Sequence, residues 1–419
     1  MFSRFKVFFQ SRFSAFSLQE RRFIFSVGLS IFLVSFEYGI TRPVCTSLFV
    51  GFYGAKAIAS AWYVTVPINL TVVYFYNRFL PKWGCFKLFL VIASSAVLMN
   101  SLAAFFGAAS FLQFIWKDIY ILLMFKQLWS LIHSTIATAK AKYLYGIIAG
   151  MGGFGSVLGG LVPLFLAVPL GTQRLLFFSL PIYVLIVFLY YQAYQNSRFD
   201  GSREAFTTDL NAKGSFFDFR SSKFVWFILF LVFFMQISTA LLELQFNFFL
   251  AEKYPLLDYR TRFSGYFMTV SQMAATFFQF FGAYLAMRFL DLKKSHLLVP
   301  LLLALNSLVF LALPSFAMAA YLFASIKTID FSLFGVVREM LYIPLKVDEK
   351  FRAKAVIDVF VYRTSKAFAP LLLLAFEFFF RGYAFYQIIS LLSLFLAFFW
   401  ILTIIYMFKY YEKMVPAAE

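Results

Sequence analysis

Charged side chains sit inside stretches of the sequence that are otherwise apolar, and they are the residues most able to do chemistry. Glu37, Glu243, Asp330, Asp358 and Glu377 are the acids, and Arg42, Lys126, Lys327, Arg363 and Lys366 the bases. A charge at the centre of a membrane helix costs about 2.5–3.5 kcal/mol on insertion scales, so each must face a cavity or a partner. Acids and bases are equal in number, so pairing is expected. Lys327 and Asp330 are three residues apart on one helical face, and Glu377 lies four before Arg381; both read as local ion pairs. Glu37, Glu243, Lys126 and the Arg363/Lys366 face have no such partner in their own helix. They must meet across a bundle or meet a solute, the cations orienting an anionic group and a glutamate sensing protons or closing a gate.

No enzymatic chemistry is visible. His133 and His296 are the only histidines, and Cys45 and Cys85 the only cysteines, forty positions apart, so neither a metal centre nor a disulfide framework is expected. The run Gly150-Met151-Gly152-Gly153-Phe154-Gly155 follows no strand and does not read as a dinucleotide loop. Gly155 and Gly159, one turn apart, instead suit close packing of two helices. The expectation is a protein that is not an enzyme and carries no cofactor or metal.

The elements that must position these charges follow from composition. Of 419 residues, 62% are hydrophobic and 13% charged, with a mean hydropathy of +0.82. A soluble domain carries roughly 25% charged residues, so lipid is the expected solvent and the bilayer the first partner. Crossing as a helix takes about 20 residues. Apolar stretches of that order run Phe23–Leu48, Ala57–Phe79, Leu88–Phe106, Ile119–Ala139, Tyr143–Ala167 and Leu175–Tyr191, then Phe224–Leu250, Phe263–Met287, Leu297–Leu313, Phe316–Val337, Ala355–Phe380 and Tyr383–Phe408. The expected fold is therefore all-α: twelve transmembrane helices in two six-helix bundles, 23–191 and 224–408. A polar linker, 192–223, joins them and a tail, 409–419, closes the chain. Residues 1–22, with Phe at helical spacing among Arg and Lys, read as an interfacial amphipathic segment, with an organellar transit peptide as the alternative.

Lys and Arg gather in one alternate set of loops, which places both termini in the cytoplasm. Only Lys56, Lys117, Arg174, Lys253, Arg260, Arg262 and Arg381 fall on the outer set. The net charge of +18 is on this reading a matter of topology, and no nucleic-acid partner is expected. The two halves also echo each other. Glu37 and Arg78-Phe79-Leu80 correspond to Glu243 and Arg288-Phe289-Leu290, and Asn100-Ser101-Leu102 to Asn306-Ser307-Leu308. A duplicated six-helix unit resembles the architecture of the major facilitator superfamily.

Several motifs resemble one family. Phe36-Glu37-Tyr38-Gly39-Ile40-Thr41-Arg42 is similar to the first-span signature of the plastid and intracellular-bacterial nucleotide transporters, the ATP/ADP translocases, and Leu242-Glu243-Leu244-Gln245-Phe246-Asn247 to their seventh-span motif. Arg338-Glu339-Met340-Leu341-Tyr342-Ile343-Pro344-Leu345, followed by Lys354 to Arg363, resembles their most specific signature. The resemblance implies a substrate site built from Glu37, Arg42, Lys126, Gln127, Glu243, Asn247, Arg363 and Lys366. Three positions differ: Cys45 and Asn247 stand where the family carries lysine, and Gln127 where it carries glutamate. Fewer cations predict a departure from strict ATP/ADP exchange.

The expected function is secondary transport of a small anionic metabolite, nucleotide-like or phosphorylated, by alternating access across a bacterial inner membrane, with the chain a monomer. A proton-coupled carrier of an unrelated metabolite is the first alternative. A scaffold or receptor that kept the fold without transport is the second.

Overall fold

The computed structural model describes residues 17–136, 138–197, 223–342 and 383–414, with isolated positions between 344 and 371, and describes backbone alone at 138–146, 280–288, 336, 383–386 and 414. Among the described residues there are helices and no strand. The long helices are α1 (Leu18–Tyr53), α2 (Ala57–Phe105), α3 (Ser110–Thr135), α4 (Thr138–Leu170), α5 (Ser179–Gln195), α6 (Lys223–Lys253), α7 (Leu257–Phe289), α8 (Leu292–Ala312), α9 (Phe316–Ile329) and, after a short helix α10 (Gly335–Leu341), α11 (Tyr383–Met414). Nine of the described helices are long and apolar enough to cross a membrane. The eleventh expected span, Ala355–Phe380, lies almost wholly outside the described residues, as do residues 1–16 and 198–222.

Local chemistry sets the helix ends. Ser17 and Glu20 form a capping box at the start of α1: the Glu20 N–H donates to Ser17 Oγ at 3.2 Å, and the Ser17 N–H to Glu20 Oε2 at 2.9 Å. Residues 18–22, expected within the amphipathic segment, are thus continuous with the first span. Asp291 caps α8 by accepting from the Lys294 N–H at 2.7 Å, a bond that holds its carboxyl below the ordinary value. Gly54 and Gly171 follow the last residues of α1 and α4 with φ of 80° and 87°, the left-handed geometry that ends helices on glycine.

Three expected boundaries are corrected. The second and third spans, expected to be separated by a loop from Leu80 to Lys87, are two helices that meet in a kink at Gly84 (φ 75°, ψ 164°), so α2 holds both and a single residue takes the place of the loop. That backbone region is essentially reserved for glycine. The fourth span begins at Ser110 rather than Ile119, so Lys117 and Asp118 belong to the helix and not to the loop before it. The tenth span is not one uninterrupted α-helix: a π turn, Asp330–Phe334, lies between α9 and α10.

The chain divides into two compact units. The first comprises Met1–Phe52, Asn69–Phe206 and Leu257–Thr269, and the second Tyr53–Ile68, Thr207–Leu256 and Val270–Glu419. Inside the first, Val44, Leu48, Ala103, Ala167, Leu175 and Leu176 form a buried apolar cluster against which Leu257 packs. Inside the second, α11 packs on α8 and α6, and α9 packs on α6.

Candidate functional site

Glu37 lies midway along α1 and is 1% exposed. Thr41, one turn on, donates to its Oε1 at 2.5 Å; Asn100 Nδ2, near the end of α2, approaches the same oxygen at 3.4 Å. The Tyr120 hydroxyl of α3 donates to Oε2 at 2.9 Å. Asn100 is in turn held by the Ser179 hydroxyl, which accepts from its Nδ2 at 3.0 Å, and by Gln113 Nε2, which donates to its Oδ1 at 2.9 Å. Neutral donors from its own helix and two others therefore surround this carboxylate, and among the described residues no cation contacts it. Such a network is worth its desolvation only when every member is satisfied.

Arg42 is half-buried one turn beyond Tyr38, with its guanidinium carbon 5.9 Å from the Tyr38 ring centroid. The Tyr38 hydroxyl donates to Asp118 Oδ1 at 2.7 Å, and Lys117 Nζ meets Asp118 Oδ2 at 3.0 Å. Arg42 was expected in the site. Lys117 and Asp118 were missed, because two adjacent charges before an apolar run read as the end of a loop. The signal available was Ser110, which opens a run of helix long enough to hold them.

Lys126 and Gln127 are neighbours in sequence with different surroundings. Lys126 is half-buried, donates to Asn77 Oδ1 at 3.2 Å and stands 5.1 Å from the Tyr76 ring centroid. Gln127 is buried and accepts the Tyr190 hydroxyl at 2.7 Å, while Tyr190 stacks on Phe89.

In the second unit, Glu243 is half-buried on α6, and Asn247 turns its amide back to donate to the Glu243 backbone carbonyl at 2.7 Å. Asp330 accepts from Gln236 Nε2 at 3.4 Å, and Lys327 lies between the rings of Phe323 and Phe331, 5.7 and 5.3 Å from their centroids. Arg363 and Lys366, together with Asp358, Glu377 and Arg381, lie outside the described residues. No group of acidic, histidine or cysteine side chains among the described residues could hold a metal ion.

Gly155 and Gly159 of α4 face α1. A Cβ at either would run into the carbonyl oxygen of Phe32 or Phe36, and one at Gly39 of α1 would meet the Ser156 carbonyl oxygen and Gly159 less tightly. The same helix meets the beginning of α7 through Gly160 and Gly265. Beside that crossing, Asp258 Oδ1 accepts from the Thr172 N–H at 2.8 Å and its hydroxyl at 2.6 Å, and Arg260, 5% exposed, points Nη1 at the Ser47 carbonyl.

Long apolar helices with charges enclosed among them define a multi-pass membrane protein, and its fold is major facilitator-like. Residues 320–411 match the family model described as TLC ATP/ADP transporter, which bears out the resemblance of the sequence to the nucleotide translocases. Among solved structures, the nucleoside transporter NupG superposes with a TM-score of 0.65 at 12% identity, covering 91% of this chain and 98% of that one. A bacterial homologue of the human lysosomal transporter Spinster, in an inward-facing and unoccupied conformation, gives a TM-score of 0.64 at 12% identity over 96% of this chain and all of that one. A bacterial metal transporter gives 0.60 at 13% identity, covering 92% of this chain and 98% of that one. No curated protein sequence matches the chain.

Proposed function

We propose that this carrier moves a small anionic metabolite, nucleotide-like or phosphorylated, by alternating access. The observation that supports this most is the placement of Arg42 and Lys126 on α1 and α3, each half-buried within a span. A cation so placed cannot face hydrocarbon and is suited to an aqueous path that an anion enters. The family match over residues 320–411 points to the same substrate class. Arg363 and Lys366, within that matched stretch, are assigned the same role, and Glu243 is assigned to coupling. The membrane is taken as a bacterial inner membrane, the chain as a monomer with both termini cytoplasmic. Uptake of labelled nucleotides and phosphorylated metabolites into cells expressing the protein is the test. Uptake that saturates supports the reading, and a full panel with none above control cells rejects it.

A second reading, proton coupling, is favoured by Glu37. Among the described residues this carboxylate is enclosed by neutral donors with no cation in contact, so a proton is the simplest ion to neutralise it. Transport driven by an imposed pH gradient in proteoliposomes, and lost in Glu37→Gln, would support it. Transport indifferent to the gradient would remove it.

A further inference from the structure

The Lys117–Asp118 pair is oddly built for a structural ion pair. Adjacent residues on a helix do not face each other, so their contact adds little to helix stability. Lys117 is 4% exposed and Asp118 is 32% exposed, although both lie well inside α3. At 1.5 Å per residue, Asp118 is about 12 Å from the start of that helix. A partly exposed carboxylate at that depth faces water rather than lipid. The buried ammonium is also seated 4.1 Å from the Phe114 ring centroid, so it is held from two sides. Asp118 is held from the other side by the Tyr38 hydroxyl, one turn from Arg42. One cation, one carboxylate and one phenol thus meet where α1 and α3 adjoin, and Arg42 lies over the ring of that phenol.

Resting on the reading of the protein as an anion carrier, we propose that Asp118 occupies the place of the substrate's phosphate. In the empty site it neutralises Lys117; an arriving phosphate oxygen displaces it and takes Lys117 and Arg42 as its partners. When the substrate leaves, Asp118 returns to Lys117, so the ammonium is never left bare in a medium of low dielectric, where an unpaired charge is most costly. Lys117 is then a substrate-binding residue and Asp118 its internal competitor. No bond is made or broken; only ion-pair partners exchange.

Opposite signs test this. Binding of ATP, ADP, AMP and inorganic phosphate is measured on the purified full chain in nanodiscs. For whichever anion the unmodified protein binds, Asp118→Asn raises affinity about tenfold, because the competitor is gone, while exchange in proteoliposomes slows. Lys117→Gln lowers affinity at least about tenfold, and Lys117→Arg restores most of it. A purely structural pair would instead weaken binding and thermal stability in both variants. Affinity unchanged or reduced in Asp118→Asn overturns the proposal and leaves the carrier reading in place. Binding of none of these anions by the unmodified protein overturns both. Should Lys117→Gln fail to fold, the gain in Asp118→Asn and the retention in Lys117→Arg still decide.

Discussion

The Tyr120 hydroxyl donates to Oε2 of Glu37 across 2.9 Å, joining α3 to α1 at a point where both side chains are 1% exposed. Thr41 and Asn100 complete the shell around the other oxygen. An isosteric amide keeps an acceptor for Thr41 and Asn100 and can turn its NH2 to the Tyr120 hydroxyl oxygen, whereas truncation strands all three. A buried polar group left unsatisfied costs about 1–3 kcal/mol. Glu37→Ala should therefore lower the thermal unfolding midpoint of the detergent-solubilised protein clearly, and Glu37→Gln much less. Equal losses would mean that the negative charge, not the hydrogen-bond shell, holds the bundle.

Gly159 has no room for a side chain against the Phe36 carbonyl oxygen. Forcing atoms into a packed contact costs about 1–3 kcal/mol, more when the obstacle is backbone. Gly159→Leu is expected to abolish stable expression and Gly159→Ala to lower the unfolding midpoint. A fully stable Gly159→Leu protein would show that α1 and α4 can separate without penalty.

Lys126 and Lys327 separate a role in recognition from one in packing. Lys126 is half-buried beside Asn77, whereas Lys327 is 6% exposed between two Phe rings. Lys126→Gln should raise the KM for uptake at least about tenfold, roughly 1.4 kcal/mol, with little change in stability. Lys327→Gln should act mainly on stability. Measured uptake and unfolding of the two variants side by side check this, and a matching pattern in both would collapse the distinction.

Asp258 ties the start of α7 to the end of α4 through two bonds from Thr172. Hydrogen bonds to a charged group contribute about 1.5–3 kcal/mol each. Asp258→Ala should loosen this clasp, so that a cysteine placed at the buried Leu175, just beyond it, reacts faster with an impermeant thiol reagent in whole cells. An unchanged rate would mean that the clasp does not control access to that end of the unit.

The helical frame was legible because each span is long, apolar and bounded by polar residues, signals that survive without any contact information. Boundaries were less so. Lys117 and Asp118 resemble loop residues in sequence, and only the folded chain shows that Asp118 satisfies Lys117 and Tyr38 within the span. Gly84 shows the same limit from the other side: Arg78, Lys82 and Lys87 predict a loop, yet a single residue departs from helical geometry. For the site, residue type identified Glu37, Arg42 and Lys126 as enclosed charges, but not their partners. The Glu37 shell comes from positions 41, 100 and 120, and a periodic reading of one helix cannot say which residues of other helices will lie opposite. The amides of Gln127 and Asn247 bond to Tyr190 and to the backbone of α6, directions that depend on rotamers rather than sequence order.

The π turn at Asp330–Phe334 has an evolutionary consequence. An i→i+5 turn holds one residue more than an α turn, so it takes up a residue that in continuous α-helix would rotate everything after it, Arg338 and Glu339 included, by about 100° about the axis. The segment is thus a tolerant point in the reading frame: losing one residue here would restore α-helix and leave the Arg338-Glu339 pair facing as it does, whereas losing one from the α-helical turns on either side would re-aim it.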